Sequence, residues 1–269
     1  MNVRPERLVS CLMVTLPVPE RFEFFKRSVA AYCAQTHPAR ELVIVADGPR
    51  DAREPLREHI ANLGRDDIRF APVQGVSTLG ALRNRACEAA RGDFLCQWDD
   101  DDLHHPQRLA EQLSILESAG ADCAYLEDVM QYVVGSRKLF WTNWRATETR
   151  AHPGTLLCRR TAQPAYPELG ETAERGEDSV VCIELQRRSS VAILREKAYL
   201  YVYVSHGANQ FSDEHHAMLA RELAISRGLL LRREQALRAG LAAFDFGDEE
   251  PVVQGRNGPA FTLATTRSS

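Results

Sequence analysis

The sequence predicts an α/β fold, with a mostly parallel β-sheet flanked by helices and a less regular second half. Three observations lead there. Short apolar runs alternate with amphipathic stretches through the first 119 residues. Strand and helix alternating at that pitch give parallel strands with helices on both faces. Polar residues stand where the apolar runs end: Thr15, Asp47 and, from Asp99, four aspartates. Hydrophobic residues make up 44% of the 269 and charged residues 26%, which permits a sizeable core and argues against global disorder.

Each element can be placed in turn. Residues 8–16 (LVSCLMVTL) read as a buried strand. Residues 21–35 have helical spacing, with Phe24, Val29, Tyr32 and Cys33 apolar. Residues 41–47 form a second strand, 53–63 a helix and 67–73 a third strand. Residues 79–92 are a helix, with Gly92 as a C-cap. Residues 93–99 form a fourth strand, and a helix over 106–119 is opened by Pro106. Beyond residue 121 the pattern loosens. Two strands flank a turn at Gly135 and Ser136, and 155–160 is a short strand. Residues 177–188 are helical, and 191–204 hold two strands around 195–197. Residues 214–239 read as one long amphipathic helix stopped by Gly240, and residues 246–269 as a weakly ordered tail.

Bulk properties exclude some classes. A formal net charge of -4 argues against a general nucleic-acid binder, which needs a clustered basic surface. The seven cysteines are odd in number, have no CxxC spacing and mostly sit in apolar runs, so they read as reduced core thiols. No apolar run approaches the roughly 20 residues of a membrane helix. MNVRPERLVS lacks the apolar segment of a signal peptide. The expectation is a soluble cytoplasmic protein, with peripheral membrane contact left open.

The chemistry concentrates in QWDDDDLHHPQRL. Four successive carboxylates after an apolar strand repel one another unless water or a cation neutralises them. One reading is a solvated acidic turn that also caps the next helix. The other is a hard-cation site, since Mg2+ or Mn2+ is held by one or two carboxylates together with substrate phosphates. In an extended segment Asp99 and Asp101 would point one way, Asp100 and Asp102 the other.

The chain resembles glycosyltransferase family 2, whose members have the GT-A fold. Two segments carry the resemblance. One is VSCLMVTLPVPERFEFFKRSVAAYCAQTHPARELVIVADG, with its AQT-x-P-x-x-EL-x-IV stretch. The other is GALRNRACEAARGDFLCQWDDDDLHHPQRL, which is similar to the family's ARN…DxDD…P-x-RL pattern. The likeness covers residues 8–110 well and 150–216 more loosely. It implies transfer of a sugar from a nucleotide-sugar donor, with UDP the family-weighted nucleotide, to a glycan, a lipid-linked glycan or a small molecule. It makes residues 1–119 the donor-binding half and 120–245 the acceptor and catalytic-base half of one domain. By the same resemblance Asp47 contacts the base, Thr15 lines its pocket and Arg83 lies near the nucleotide. Asp99 and Asp101 match the DxD that holds Mn2+ or Mg2+, and Asp100 is a candidate for the ribose. The family often has two acids at the end of the second strand; here the first is Ala46, leaving Asp47 alone.

In the second half, Glu177 and Asp178 open a helix, where acids also suit the helix dipole. The resemblance aligns Asp178 with the family's catalytic base and leaves Glu177 as the second candidate. An inverting transfer needs such a carboxylate to take the acceptor's proton. His206 is the candidate for the late histidine that completes the metal site in many GT-A enzymes. His152 is a candidate for the acceptor side, and Trp141 and Trp144 for a sugar platform. LQRRSS lacks the QxxRW of processive members, which favours a single transfer. The rivals are a catalytically inactive nucleotide-sugar-binding protein, a retaining transferase and a sugar-1-phosphate nucleotidyltransferase. The last would show a glycine-rich loop where this chain has TLPVPER. A haloacid-dehalogenase phosphatase would carry its aspartates after the first strand instead. Oligomeric state is not legible in the sequence.

Overall fold

The computed structural model describes residues 7–73, 77–207, 209–248 and 250–264. In chain order the first half comprises β1 (Val9–Thr15), α1 (Phe22–Cys33), β2 (Arg40–Ala46), α2 (Arg50–Asn62), β3 (Ile68–Phe70), α3 (Leu79–Ala89), β4 (Phe94–Gln97), β5 (Leu103–His104) and α4 (Arg108–Ser118). The second half begins with β6 (Cys123–Leu126), β7 (Asp128–Val133), β8 (Lys138–Asn143), β9 (Leu157–Arg159), α5 (Glu177–Arg188), β10 (Val191–Leu194) and β11 (Tyr201–Ser205). It closes with α6 (Asp213–Leu223), α7 (Arg227–Arg232), α8 (Glu234–Leu241), β12 (Val252–Gly255) and β13 (Gly258–Thr262).

Among the described residues the main sheet has the order β10-β6-β9-β4-β1-β2-β3. Its strands are parallel except β9, which runs antiparallel to both β4 and β6. Alternation along β1 and β2 explains why both strands are mostly apolar. Val9, Cys11 and Met13, with Leu42 and Ile44, pack toward α1 and α4. Leu12, Val43 and Val45 face the opposite core, with Leu82 of α3 and Leu185 of α5. A sheet covered on both sides has no solvent face to make polar. A second sheet, β13-β12-β8-β7-β11-β5, packs its own core of Met130, Trp141, Val202, Leu230 and Leu237.

Four expectations are corrected. The helix over 79–92 ends earlier, with Ala90 extended. Gly92 is required instead for close approach, since a Cβ there would stand 2.5 Å from the Leu8 carbonyl oxygen. The α4 helix starts at Arg108, two residues after Pro106. The long helix over 214–239 is three helices. The chain breaks where Ala224 bridges to Thr142 and Ile225 N–H donates to the Trp141 carbonyl, and Ser226 then caps α7. Gly240 lies inside α8, packed on the ring of Tyr199. Within the segment expected to be a weakly ordered tail, residues 252–262 form the β12–β13 hairpin, with β12 parallel to β8 and Val253 fully buried, while residues 265–269 lie outside the described residues.

Candidate active site

Strands β1 and β4 are neighbours, yet the chain continues from β1 toward β2 and β3 and only later returns to β4 on the other side. A crevice opens at the carboxyl ends of strands around such a reversal. Here it is a cleft of about 350 Å³. Thr15, Asp47, Arg83, Asp99, Asp100, Asp101, Asp102, Glu177 and Asp178 all line it. Of the predicted donor-site and base residues, only His206 stands behind the lining rather than in it, and it contacts Asp101.

The four aspartates do not alternate as an extended segment would. Asp100, Asp101 and Asp102 lie in bends, and the carboxylates differ in their partners, with Arg21 shared by Asp100 and Asp101. Asp99 accepts from Arg83 at 3.0 Å and from the Gln97 amide at 3.0 Å. Asp100, 2% exposed, accepts from Thr15 Oγ1 and from Arg21. Asp101 Oδ2 lies 3.0 Å from Arg21 Nη2 and 3.1 Å from His206 Nε2. Asp102 is buried, bonded to the Tyr201 hydroxyl and to Val204 N–H at 2.8 Å, and caps no helix.

Their electrostatics differ accordingly. Burial and the Asp101 charge raise the Asp100 carboxyl to about 6 against the pull of Arg21. Burial also opposes ionisation of Asp101, but His206 and Arg21 outweigh it and hold that carboxyl below its ordinary range. Burial, with Asp101 and Asp99 beside it, pushes Asp102 well above. The backbone of the run is fixed separately: Ser28 Oγ donates to the Asp99 carbonyl and Arg27 to that of Asp101, both at 3.0 Å.

Arg83 of α3 joins the two halves. Its Nε donates to Glu177 at 2.7 Å while Nη2 holds Asp99. Burial works against its charge, and Asp99 and Glu177 more than restore it. Glu177 is thus an ion-paired residue, 2% exposed. Its neighbour Asp178 is half-buried, and its Oδ1 accepts from Ser179 N–H at 2.7 Å. Burial, then the charge of Glu177, raises the Asp178 carboxyl to about 6. Gly176, at φ +79, supplies the left-handed residue that starts this helix.

The remaining motif residues act as clamps. Gln35 donates to the His105 carbonyl at 2.9 Å and accepts from Leu109 N–H, and Thr36 N–H reaches the Pro106 carbonyl at 2.8 Å. The AQT and P-x-RL segments therefore hold each other. Arg108, fully buried, ties His104, Gln112 and the Gln97 carbonyl beneath the aspartates. Asn84 binds both backbone groups of Tyr166.

The three residues considered for the acceptor side are absent from the cleft lining. His152 is 7% exposed among Trp144, Tyr201 and Tyr203, and burial lowers its ring to about 3. Trp141 is buried and donates to Asp128, and Trp144 packs on His152 and donates to Thr142. Sequence reasoning missed Arg21, whose partners lie 79 and 80 residues away. It also missed Asn209, Gln210 and Phe211 on the cleft wall.

A divalent ion can be tested against these residues. Asp101 Oδ2 and His206 Nε2, at 3.1 Å, have the spacing of adjacent donors on one octahedral ion with bonds of about 2.1 Å. Asp99 is engaged by Arg83 and Gln97 instead. Among the described residues no three His, Cys, Asp or Glu side chains converge as a cage. An ion held here would take its other ligands from phosphate and water, the usual habit of Mg2+.

A mostly parallel sheet flanked by helices, with an acidic cleft at its switch point and a second sheet beside it, defines a GT-A-like glycosyltransferase architecture. Residues 14–168 match the family model for glycosyl transferase family 2, and the chain belongs to that family. An uncharacterized glycosyltransferase of Methanocaldococcus jannaschii is 32% identical over 113 residues, covering 41% of this chain and 38% of that protein. One from Rickettsia felis is 25% identical over 103 residues, covering 38% of this chain and 17% of that protein. The chain thus spans well under half the length of these relatives. Among solved structures, S. aureus TarS 1-349 in complex with UDP shares the fold, with TM-score 0.58 and 16% identity over 86% of this chain and 74% of that one. The mannosyltransferase PcManGT of Pyrobaculum calidifontis, in complex with GDP-Man and Mn2+, gives TM-score 0.52 and 12% identity over 89% of this chain and 64% of that one. Among the described residues no helix is long and apolar enough to cross a membrane.

Proposed function

We propose that the protein is a metal-dependent glycosyltransferase that moves a sugar from a nucleoside-diphosphate sugar, UDP being the expected nucleotide, to an acceptor hydroxyl in a single, inverting transfer. The observation that carries this reading is that Asp178, Arg83 and all four aspartates line one cleft at the sheet's switch point. A carboxyl raised to about 6 is a better base than an ordinary one and is still ionised at neutral pH. Asp178 takes the acceptor's proton as its oxygen attacks the anomeric carbon, through a transition state of oxocarbenium character. Glu177, held by Arg83 at 2.7 Å, serves by fixing the helix start and not as the base. Asp47 and Thr15 line the nucleotide pocket, and Asp100 faces the ribose. Asp101 and His206 would hold a Mg2+ or Mn2+ ion, which would supply charge neutralisation for the departing diphosphate.

The test is a thermal-shift screen of UDP, GDP, UDP-GlcNAc and GDP-Man with and without Mn2+. Both nucleotides are included because TarS and PcManGT structures hold them. Binding at about 100 times Kd stabilises by about 2.7 kcal/mol, a shift of several degrees. Asp101→Ala is expected to abolish the metal-dependent part of the shift. Asp178→Asn is expected to keep it and to lose nucleotide release from the donor sugar by at least about 100-fold. Normal turnover by Asp178→Asn sinks the base assignment, and indifference of donor binding to chelator sinks the metal.

A further inference from the structure

Arg21 sits in the cleft yet has no part in the scheme above. It closes the Pro19–Arg21 turn that leads into α1, and its own N–H donates to the Val18 carbonyl at 3.0 Å, which fixes its backbone at the cleft rim. From there the guanidinium contacts two successive aspartates. Nε lies 3.3 Å from Asp100 Oδ2, Nη2 reaches Asp100 Oδ1, and the same Nη2 lies 3.0 Å from Asp101 Oδ2. That last oxygen also faces His206 Nε2 at 3.1 Å. The atom best placed to bind a divalent ion is therefore already bound to a cation of the chain's own.

The two cations compete there. An oxygen that donates a lone pair to an ion holds a guanidinium at 3.0 Å less well, because the like charges would then stand within a few ångströms in a partly dehydrated cleft. Displacement from Asp101 does not expel Arg21, since Asp100 still anchors its Nε and its side chain is only 18% exposed. A planar guanidinium fork matches phosphate oxygens as well as carboxylate oxygens, so a diphosphate entering beside Asp101 offers the freed nitrogen an equivalent partner.

We propose that Arg21 is the resident cation of the donor site: it holds Asp101 when no divalent ion is bound, and it passes to the donor's diphosphate when the ion takes that oxygen. This rests on the donor-site reading above. It explains how Asp100 and Asp101 stay together before any ligand arrives. It also couples metal entry to the release of a phosphate-binding group.

The experiment compares wild type, Arg21→Gln and Arg21→Lys by calorimetric titration, first with Mn2+ alone and then with UDP and with GDP at saturating Mn2+. Removing the competing cation should tighten Mn2+ binding by about tenfold or more in Arg21→Gln. Losing a charge-assisted hydrogen bond should weaken nucleotide binding by about 10- to 100-fold. Arg21→Lys keeps the charge without the fork: Mn2+ affinity should stay near wild type while nucleotide affinity falls. If Arg21→Gln proves too unstable to titrate, that divergence in Arg21→Lys carries the test. A purely structural arginine would weaken both affinities together, and that outcome overturns the proposal. So does Mn2+ affinity or nucleotide affinity in Arg21→Gln equal to that of wild type. Wild type that binds neither nucleotide overturns the donor reading itself and this proposal with it. Wild type that binds, with both variants indistinguishable from it, overturns the Arg21 assignment alone.

Discussion

Asp178 is under opposing influences of unequal size: burial and Glu177 raise its carboxyl to about 6, and Arg83 pulls it back. A base is useful only when ionised, so turnover should be flat above about pH 7, halve near pH 6 and fall about tenfold per unit below about pH 5. Glu177→Gln removes a neighbouring negative charge and leaves Arg83 less neutralised. Both changes favour the Asp178 carboxylate, so the acid limb should move to lower pH. A profile of donor turnover from pH 4.5 to 8.5 in the two proteins checks this, and a limb that moves upward rules out Asp178 as its origin. Asp178, Thr15, Asp47 and the aspartates were legible because their residue types and spacings match a known pattern. Arg21 was not: an arginine in PVPER reads as a surface residue until β1 and β4 become neighbours. The place of Asp102 was hidden for a similar reason, since its partners Tyr201 and Val204 come 99 and 102 residues later.

At the scale of elements, Arg83 connects α3 to the end of β4 and to the start of α5. Removing one member of a buried ion pair leaves the other charge unpaired, at a cost of about 3–5 kcal/mol. Arg83→Met should therefore lower the unfolding free energy by that much, through Glu177 at 2% exposure. Adding Glu177→Gln should recover part of the loss, because the stranded charge is gone. Chemical denaturation of the single and double variants measures both, and strictly additive losses would show that the pair is not coupled. The strands and helices of the first half were legible because covering the sheet on both faces leaves continuous apolar runs. The break between α6 and α7 was not, because Ala224 and Ile225 are drawn out of helix by pairing with Thr142 and Trp141. Nor was the β12–β13 hairpin, whose Gly- and Pro-containing segment gains its order from β8, far back in the chain.

Across the whole molecule, the cleft carries carboxylates that the fold would be more stable without. Asp178 has an ordinary value of 3.8 and a folded value of about 6. Because the folded value is the higher one, the protonated side chain favours the native state. That contribution is intact below about pH 4 and is lost as pH rises through 6. Above pH 6 the native state carries an ionised, half-buried carboxylate at a cost of about 2 kcal/mol, allowing for its contact with cleft water. Asparagine keeps the shape and the oxygen that accepts from Ser179 N–H, and it never ionises. It forfeits the attraction of a charge to the N-terminus of α5, but that is worth only about 0.3–1 kcal/mol, so relief of the burial penalty wins. Asp178→Asn should thus melt several degrees above wild type at pH 8, with the difference closing below pH 4, while its turnover is lost. A variant less stable than wild type at pH 8 would mean that the helix dipole outweighs burial at this position, and that Asp178 is held at the site without strain.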